Sequence, residues 1–450
     1  MGAPNQDSKR DDVQPHHHMH RVGQWLPADH RKHKEWLGDL IDTVDKNPVD
    51  TKKLHPVLQE FKQLIEGNTR IYLLVNSMFE QVPTKKPYSQ DPTGEKQVRD
   101  YEHMLALFQH ILTRAPEWSD SSYGIGMVGT PINAILDWPM GTPSGFAFFL
   151  DPEVNKMLKK VLNTWGEYLA SPDSAYVLGT QGHCWFSPHG IEDLAYTANI
   201  NQTNHKFEEL FKCDPKAEHM GFKSWDDFFV RHFHEDKRPV ASPDDDNVIA
   251  NACESKPYNV SRNVSARDKF WVKGQPYSVI DMLAQDPWYE PFVGGTIYQA
   301  FLSALSYHRW HAPVSGTVKK AYVVQGTYFS EPLFEGLGDP KNDEINKGGE
   351  TNGQGYITAT ATRAIIFIEA DSKDIGLMCF LGIGMTEVST CDIGVKEGQH
   401  VKKGDEIGMF HFGGSTHCLL FRKGVELEGF PEIGLEHNVP VRSKLAVVKK

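Results

Sequence analysis

The chain has 450 residues, 39% of them hydrophobic and 24% charged, and 47 basic against 59 acidic side chains leave a net charge of −12. That length accommodates two or three domains, and the acidity disfavours nucleic acid or an anionic membrane surface as a partner. No apolar run approaches the ~18 residues of a spanning helix, and the polar start MGAPNQDSKRDD lacks a signal-peptide pattern, so a cytoplasmic protein without stable membrane insertion is expected.

Residues 1–23 read as a disordered polar tail; its HHHMH run (16–20) is at most an adventitious metal binder. From 24 to 215 the spacing is helical. Trp36, Leu37, Leu40, Ile41 and Val44 form one stripe, and Leu54, Val57, Leu58, Phe61, Leu64 and Ile65 a second. Further stripes run from Tyr101 to Leu112, from Met157 to Leu169 and from Phe207 to Phe211. The Gly/Pro-rich stretch SSYGIGMVGTPINAILDWPMGTPSG between the third and fourth reads as a long loop with short elements, able to wall a pocket. HCWFSPHG (183–190) tempts a metal reading, but a turn packing an aromatic is the plainer one. GFKSWDDFFVRHF (221–233) reads as one more amphipathic helix, ended by Arg238-Pro239.

From 247 the pattern turns to strands: VIANA, KPYNVSRNVS, KFWVKG, GTVKKAYVVQGTYF, YITATATRAIIFIEA and GLMCFLGIGM. About 200 residues of short strands indicate a barrel or sandwich. The fold class expected is therefore α+β: a helical domain (24–215) and a mostly β, barrel-sandwich-like domain (216–450). The polar insert 335–355 interrupts the strands and does not match a calcium loop. The six cysteines show no CxxC or zinc-finger spacing and read as reduced thiols; no metal is expected.

Two motifs carry chemistry. In SALSYHRWHAPVSGTV, His308 and His311 are three apart: on one face if helical, on opposite faces if extended. A hydrogen-bonded pair, a metal site and a general acid/base pair all remain open. Near the C-terminus, GQHVKKGDEIG looks like half of a lipoyl/biotinyl-type sandwich, but Gly413-Gly414-Ser415-Thr416 stands where a modifiable lysine would be. A carrier or scaffold is thereby disfavoured.

FGGST (412–416), YHRWHAPVSG (307–316), Arg238-Pro239 after WDDFF, and KGQPYS (273–278) together resemble the phosphatidylserine decarboxylase family. They occur in the family's order across about 221–450. The helical half, the ACES segment (252–255) and GMTEVSTC (384–391) resemble a fungal branch of tryptophan decarboxylases that lack a membrane anchor. The resemblance implies autocatalytic cleavage between Gly414 and Ser415, with Ser415 converted to a covalent pyruvoyl group. That cofactor, rather than pyridoxal phosphate, would form a Schiff base with the substrate amine and act as electron sink. It implies His311 as base for the cleavage, Glu254 as the carboxylate orienting it, and His308 as proton donor in decarboxylation. Glu254 stands where the family has Asp, so Asp244, Asp245 and Asp246 are nearby alternatives. The two chains from one precursor would stay associated. The charge and missing apolar span favour a free aromatic amino acid, L-tryptophan giving tryptamine and CO2. The alternative is phosphatidylserine giving phosphatidylethanolamine. Phe292, Tyr298 and Phe301 are candidate pocket walls, though aromatics there are more often core.

Overall fold

The computed structural model describes residues 30–50, 53–82, 97–118, 130–200, 203–268, 277–330, 349–387, 390–412, 415–435 and 437–449. The tail 1–23, the KFWVKG segment from 269 onward and most of the 335–355 insert lie outside them.

The stripes of the first half become helices with polar caps at their starts. Asn68 separates helices Pro56–Gly67 and Thr69–Gln81, its Oδ1 accepting from Arg70 N and Ile71 N at 3.1 and 3.3 Å. Asp100 caps Tyr101–Ile111 through His103 N at 2.7 Å. Asp151 caps Pro152–Leu169, which buries Val154, Leu158, Val161, Trp165 and Leu169 along one stripe. The short elements of the Gly/Pro-rich stretch are helix Pro131–Met140 and the start of Pro143–Leu150; its residues 121–129 lie outside the described residues. Proline opens both helices, where a missing N–H costs nothing. In the first, Ile132, Ala134, Ile135 and Leu136 are buried and so is the polar Asn133, which blurs the helical periodicity. In HCWFSPHG, Trp185 is fully buried against Trp225 and Phe228.

The helix expected over 221–233 is only Trp225–Phe229, capped by Ser224. Phe233 leaves it to form a bridge with Phe211. The expected strand YITATATRAIIFIEA is likewise divided: 349–360 is helical and the strand begins at Arg363.

The second half contains strands β1 (Val248–Ala250), β2 (Lys256–Arg262), β3 (Thr296–Leu302), β4 (Arg309–His311) and β5 (Gly316–Val324). Then come β6 (Arg363–Ala370), β7 (Leu377–Gly384), β8 (Thr390–Ile393), β9 (His400–Val401) and β10 (Glu406–His411). The last three are β11 (Ser415–Phe421), β12 (Leu427–Glu428) and β13 (Lys444–Val448). Seven form one antiparallel sheet, ordered β2-β3-β11-β7-β6-β5-β9. β4-β10-β8 and β1-β13-β12 form two smaller sheets. β11 is an interior strand, buried at every position, which is why STHCLLF shows no alternation of polar and apolar residues.

Two hydrophobic cores follow the two halves, but their boundary is not the domain boundary in sequence. Leu305, Tyr307, Tyr328, Phe329 and Phe412, all from the β half, pack into the helical core. The segments that flank both chemical motifs are thus embedded in the helical half.

Candidate active site

Ser415 opens β11, facing Leu302 of β3 on one side and Gly384 of β7 on the other. It is fully buried, and among the described residues its Oγ has no hydrogen-bond partner. A buried unpaired hydroxyl costs roughly 1–3 kcal/mol, so the arrangement is maintained against its own energetics. Thr416, pointing to the opposite face, shows the contrast: its Oγ1 donates to Ala300 O and accepts from Gln299 Nε2, both at 3.0 Å. Gly414, expected on the other side of the cleavage, lies outside the described residues.

The chain enters this site under strain. Phe412 has φ +63°, a left-handed conformation that disfavours a bulky side chain by roughly 1–3 kcal/mol. Its ring is held by the helical half, 6.2 Å from the Trp165 ring and 6.4 Å from that of Trp225. Gly166 makes the room: a Cβ there would stand 2.8 Å from the Phe412 ring. On the preceding residue, His411 Nδ1 lies 3.0 Å from Asp226, whose carboxylate raises the imidazole pKa against the effect of burial.

β4 is extended, so His308 and His311 do not share a face and are not a hydrogen-bonded pair. The ladder separates them along the strand. Phe410 N donates to His308 O at 3.0 Å, whereas His311 pairs with Glu406. His308 therefore stands at the end of β4 nearer Ser415, and His311 at the far end. The His308 ring stacks on Phe229 at 4.0 Å; among the described residues its ring nitrogens make no well-formed hydrogen bond, although the backbone of Ser306 and Ser303 acts on them. Burial, followed by the Arg231 charge, pushes its pKa far down, so it is neutral.

His311 is held more tightly. Its Nδ1 is 2.9 Å from Gly404 O, and Tyr307 OH is 3.0 Å from Nε2. A carbonyl only accepts, so Nδ1 carries the hydrogen and Nε2 accepts from the tyrosine. Arg442 Nε is 3.2 Å from Nδ1 and 3.0 Å from Gly404 O; with Nδ1 protonated, it donates to the carbonyl. Burial and the Arg442 charge lower the His311 pKa to about 3. One edge of the site opens into a cavity of about 390 Å³ lined by Tyr307, His311, Arg238, Lys403 and Arg442.

The expected orienting contact between Glu254 and His311 is not present. Glu254 is buried, but its carboxylate is taken by Arg238 (2.6 and 2.9 Å) and by Val441 N–H (2.8 Å). Arg238 is itself buried and needs a counter-ion, which Glu254 supplies. Asp244 and Asp246 are exposed, and the Asp245 carbonyl receives Lys403 Nζ at 2.8 Å. Hydrogen bonds to Gly404 and Tyr307, not a carboxylate, orient His311.

Three groups at this site escaped sequence reasoning. Tyr307 lay inside the histidine motif, and its position there was the available signal. His417 follows Ser415 by two residues on the same strand face; it is fully buried, and burial lowers its pKa to about 3 against a weak opposing interaction with the Ala300 backbone. Glu387 lies three residues beyond Gly384 and is fully buried. Of the aromatics weighed as walls, Tyr298 meets the His417 ring edge-on at 6.0 Å, while Phe292 packs on Phe367 in the core. Phe301 pairs with Thr416 across the ladder, on the face away from Ser415.

A helical half packed over a β sheet in which one interior strand begins at a buried serine, with two neutral histidines on a neighbouring sheet, defines a class of protein. Family models described as phosphatidylserine decarboxylase match residues 55–194 and 225–443. Decarboxylase iboD of Amanita muscaria is 42% identical over 72% of this chain and 92% of its own. The L-tryptophan decarboxylases of Psilocybe cubensis and Psilocybe cyanescens are 36% and 38% identical, over 90% and 89% of this chain and 89% and 88% of theirs. The chain belongs to the phosphatidylserine decarboxylase family and is a decarboxylase, a carboxy-lyase. Among the described residues, no helix is long and apolar enough to cross a membrane.

Proposed function

We propose that the chain cleaves itself between Gly414 and Ser415 and then decarboxylates a free aromatic L-amino acid, L-tryptophan to tryptamine and CO2. The observation carrying this reading is the buried Ser415 Oγ at the head of β11, without a hydrogen-bond partner among the described residues, together with the strained Phe412. Similarity to two L-tryptophan decarboxylases along nearly the whole chain supports the substrate.

In the cleavage, Ser415 Oγ attacks the Gly414 carbonyl carbon and gives its proton to a base. The C–N bond breaks as the nitrogen is protonated, leaving an ester. Removal of the Ser415 Cα proton expels the Gly414 carboxylate, and one water then replaces the nitrogen, which leaves as ammonia. The buried hydroxyl, with no competing partner among the described residues, fits residue 415 as precursor of a pyruvoyl group. That group supplies a carbonyl able to accept the electron pair released with CO2. His311 is assigned as base for the cleavage; its Nε2 lone pair, directed at Tyr307 OH, must turn to the serine. His308, neutral at the Ser415 end of β4, is assigned to move the proton to the substrate carbon. The two products of cleavage stay together because β11 is bonded on both edges, to β3 and β7. The working compartment is the cytoplasm.

The test is product analysis with purified protein. Tryptophan should yield tryptamine and one CO2, and Ser415→Ala should yield none. Turnover of phosphatidylserine in vesicles, with no turnover of any free aromatic amino acid, would replace this reading by the lipid one.

A further inference from the structure

The short helix Trp225–Phe229 reaches three groups of the site at once. Residue 229 follows 225 by four and 226 by three, so the three side chains share a face. Trp225 stacks on Phe412 with ring centroids 6.4 Å apart, and Phe229 stacks on His308 at 4.0 Å. Beside them Asp226 receives His411 Nδ1, 3.0 Å from each carboxylate oxygen. The neighbouring acid is used differently: Asp227 Oδ2 accepts from Lys223 N at 2.9 Å, at the start of the helix. Ser224 caps that start, and Trp225, Phe228 and Phe229 are buried, so the helix is a fixed base.

His411 is the last residue of β10, and Phe412 follows it with its left-handed backbone. Such a conformation at a bulky residue persists only where its surroundings impose it. Two anchors do so here, one on each residue. Trp165 and Trp225 hold the Phe412 ring, and Asp226 holds the His411 ring. The side chains of the His411–Asp226 pair are only 19% and 13% exposed. Asp392, 3.7 Å from Nε2 and itself 55% exposed, is the other charged group facing this ring among the described residues. Burial works against a charged imidazole, but the two acids outweigh it and raise its pKa.

We propose that Asp226 and His411 are positioning residues for the self-cleavage, their charge pair fixing the direction in which the chain approaches Ser415. The inference rests on the proposed cleavage and adds a protonated imidazole outside the reacting groups. Holding a nucleophile against its carbonyl is worth orders of magnitude in rate, and small displacements forfeit much of it. The charge separates this pair from a packing contact, because the carboxylate holds the ring hardest while His411 keeps its proton. As pH rises through the His411 pKa, which lies above 6.5, the ring becomes neutral and the hold weakens. His308, His311 and His417 are neutral across that range and contribute no such phase.

The experiment times release of the 36-residue piece from 415 to 450 on a denaturing gel. The precursor is made by cell-free synthesis and moved into buffers from about pH 6 to about pH 9. The wild-type rate should fall as pH rises through a midpoint above 6.5. Asp226→Asn keeps the size of the side chain and removes its charge. It should cleave at least about tenfold more slowly at the acid end and lack the decline. His411→Arg keeps its charge at every pH; it should stay within about threefold of the acid-end wild-type rate throughout. Wild-type rates in Asp226→Asn, or a loss by the same factor at every pH, overturn the proposal, the second being what a merely structural role gives. A His411→Arg chain that shows the wild-type decline also overturns it. Should Asp226→Asn fail to fold, His411→Gln carries the same two expectations, and the wild-type rate or pH profile in that variant overturns the proposal. A wild type that never releases the piece overturns the proposed cleavage and this assignment with it. A wild type that cleaves, with variants that follow its rate and pH profile, overturns this assignment alone.

Discussion

Single residues here are explained by what they lack as much as by what they touch. Ser415, His308 and His417 are buried without a well-formed side-chain hydrogen bond among the described residues, and Ser415 and His308 belong to motifs visible in the sequence. Glu254 is the opposite case. Its charge is fully matched by Arg238, so removing it strands a buried guanidinium. Glu254→Ala should therefore cost roughly 3–5 kcal/mol of stability, read from urea unfolding; a loss below about 1 kcal/mol contradicts the pairing. The serine and the two histidines could be read from sequence because FGGST and YHRWH are contiguous. Glu254's true partner could not, because Arg238 is 16 residues away and nothing local distinguishes an ion pair from a triad. His417 and Glu387 were hidden for a related reason: their meaning depends on which strand edge and helix end they face.

At the level of elements, the helical half holds the segment before Ser415. Trp165 and Gly166 lie on one face of helix Pro152–Leu169 and receive the Phe412 ring. Gly166→Ala should strengthen the helix by about 1 kcal/mol in propensity, yet push Phe412 out of its seat. Self-cleavage should slow about tenfold, equivalent to roughly 1.4 kcal/mol in the barrier. A time course on a denaturing gel measures it, and cleavage at the wild-type rate would show that the Phe412 seat does not matter. The helices with a clear stripe and polar caps were legible, as was the passage to short strands. The bounds of helix Pro131–Met140 were not, because the polar Asn133 is buried with its apolar neighbours, which weakens the amphipathic signature. The split at Thr360–Arg363 was also hidden, since Tyr-Ile-Thr-Ala-Thr favours a strand locally and tertiary packing overrides that preference.

For the whole molecule, buried titratable groups set the response to acid. His311 and His417 titrate near 3 when folded and near 6.5 when unfolded. The unfolded chain thus binds protons first as pH falls below 6.5, and each group withdraws about 1.4 kcal/mol of stability per pH unit until its folded pKa is reached. Glu387 acts in the opposite sense, since its raised pKa lowers stability as pH rises from 4.5 to 7. His411, raised by Asp226, also favours the folded state at lower pH. Comparing His417→Leu with the wild type isolates one group, whose ring faces Tyr298 and Phe380. Between pH 6 and 5, the variant should lose about 1.4 kcal/mol less stability than the wild type. An identical loss in the two proteins would contradict a neutral, buried His417.

In the proposed function one precursor becomes two chains that stay associated. The intact mass of the purified protein under denaturing conditions tests this most directly. The account predicts two species, residues 1–414 and a 36-residue piece from 415 to 450 whose first residue has the mass of a pyruvoyl group. Only the full 50.8 kDa chain, from protein that decarboxylates its substrate, would contradict it.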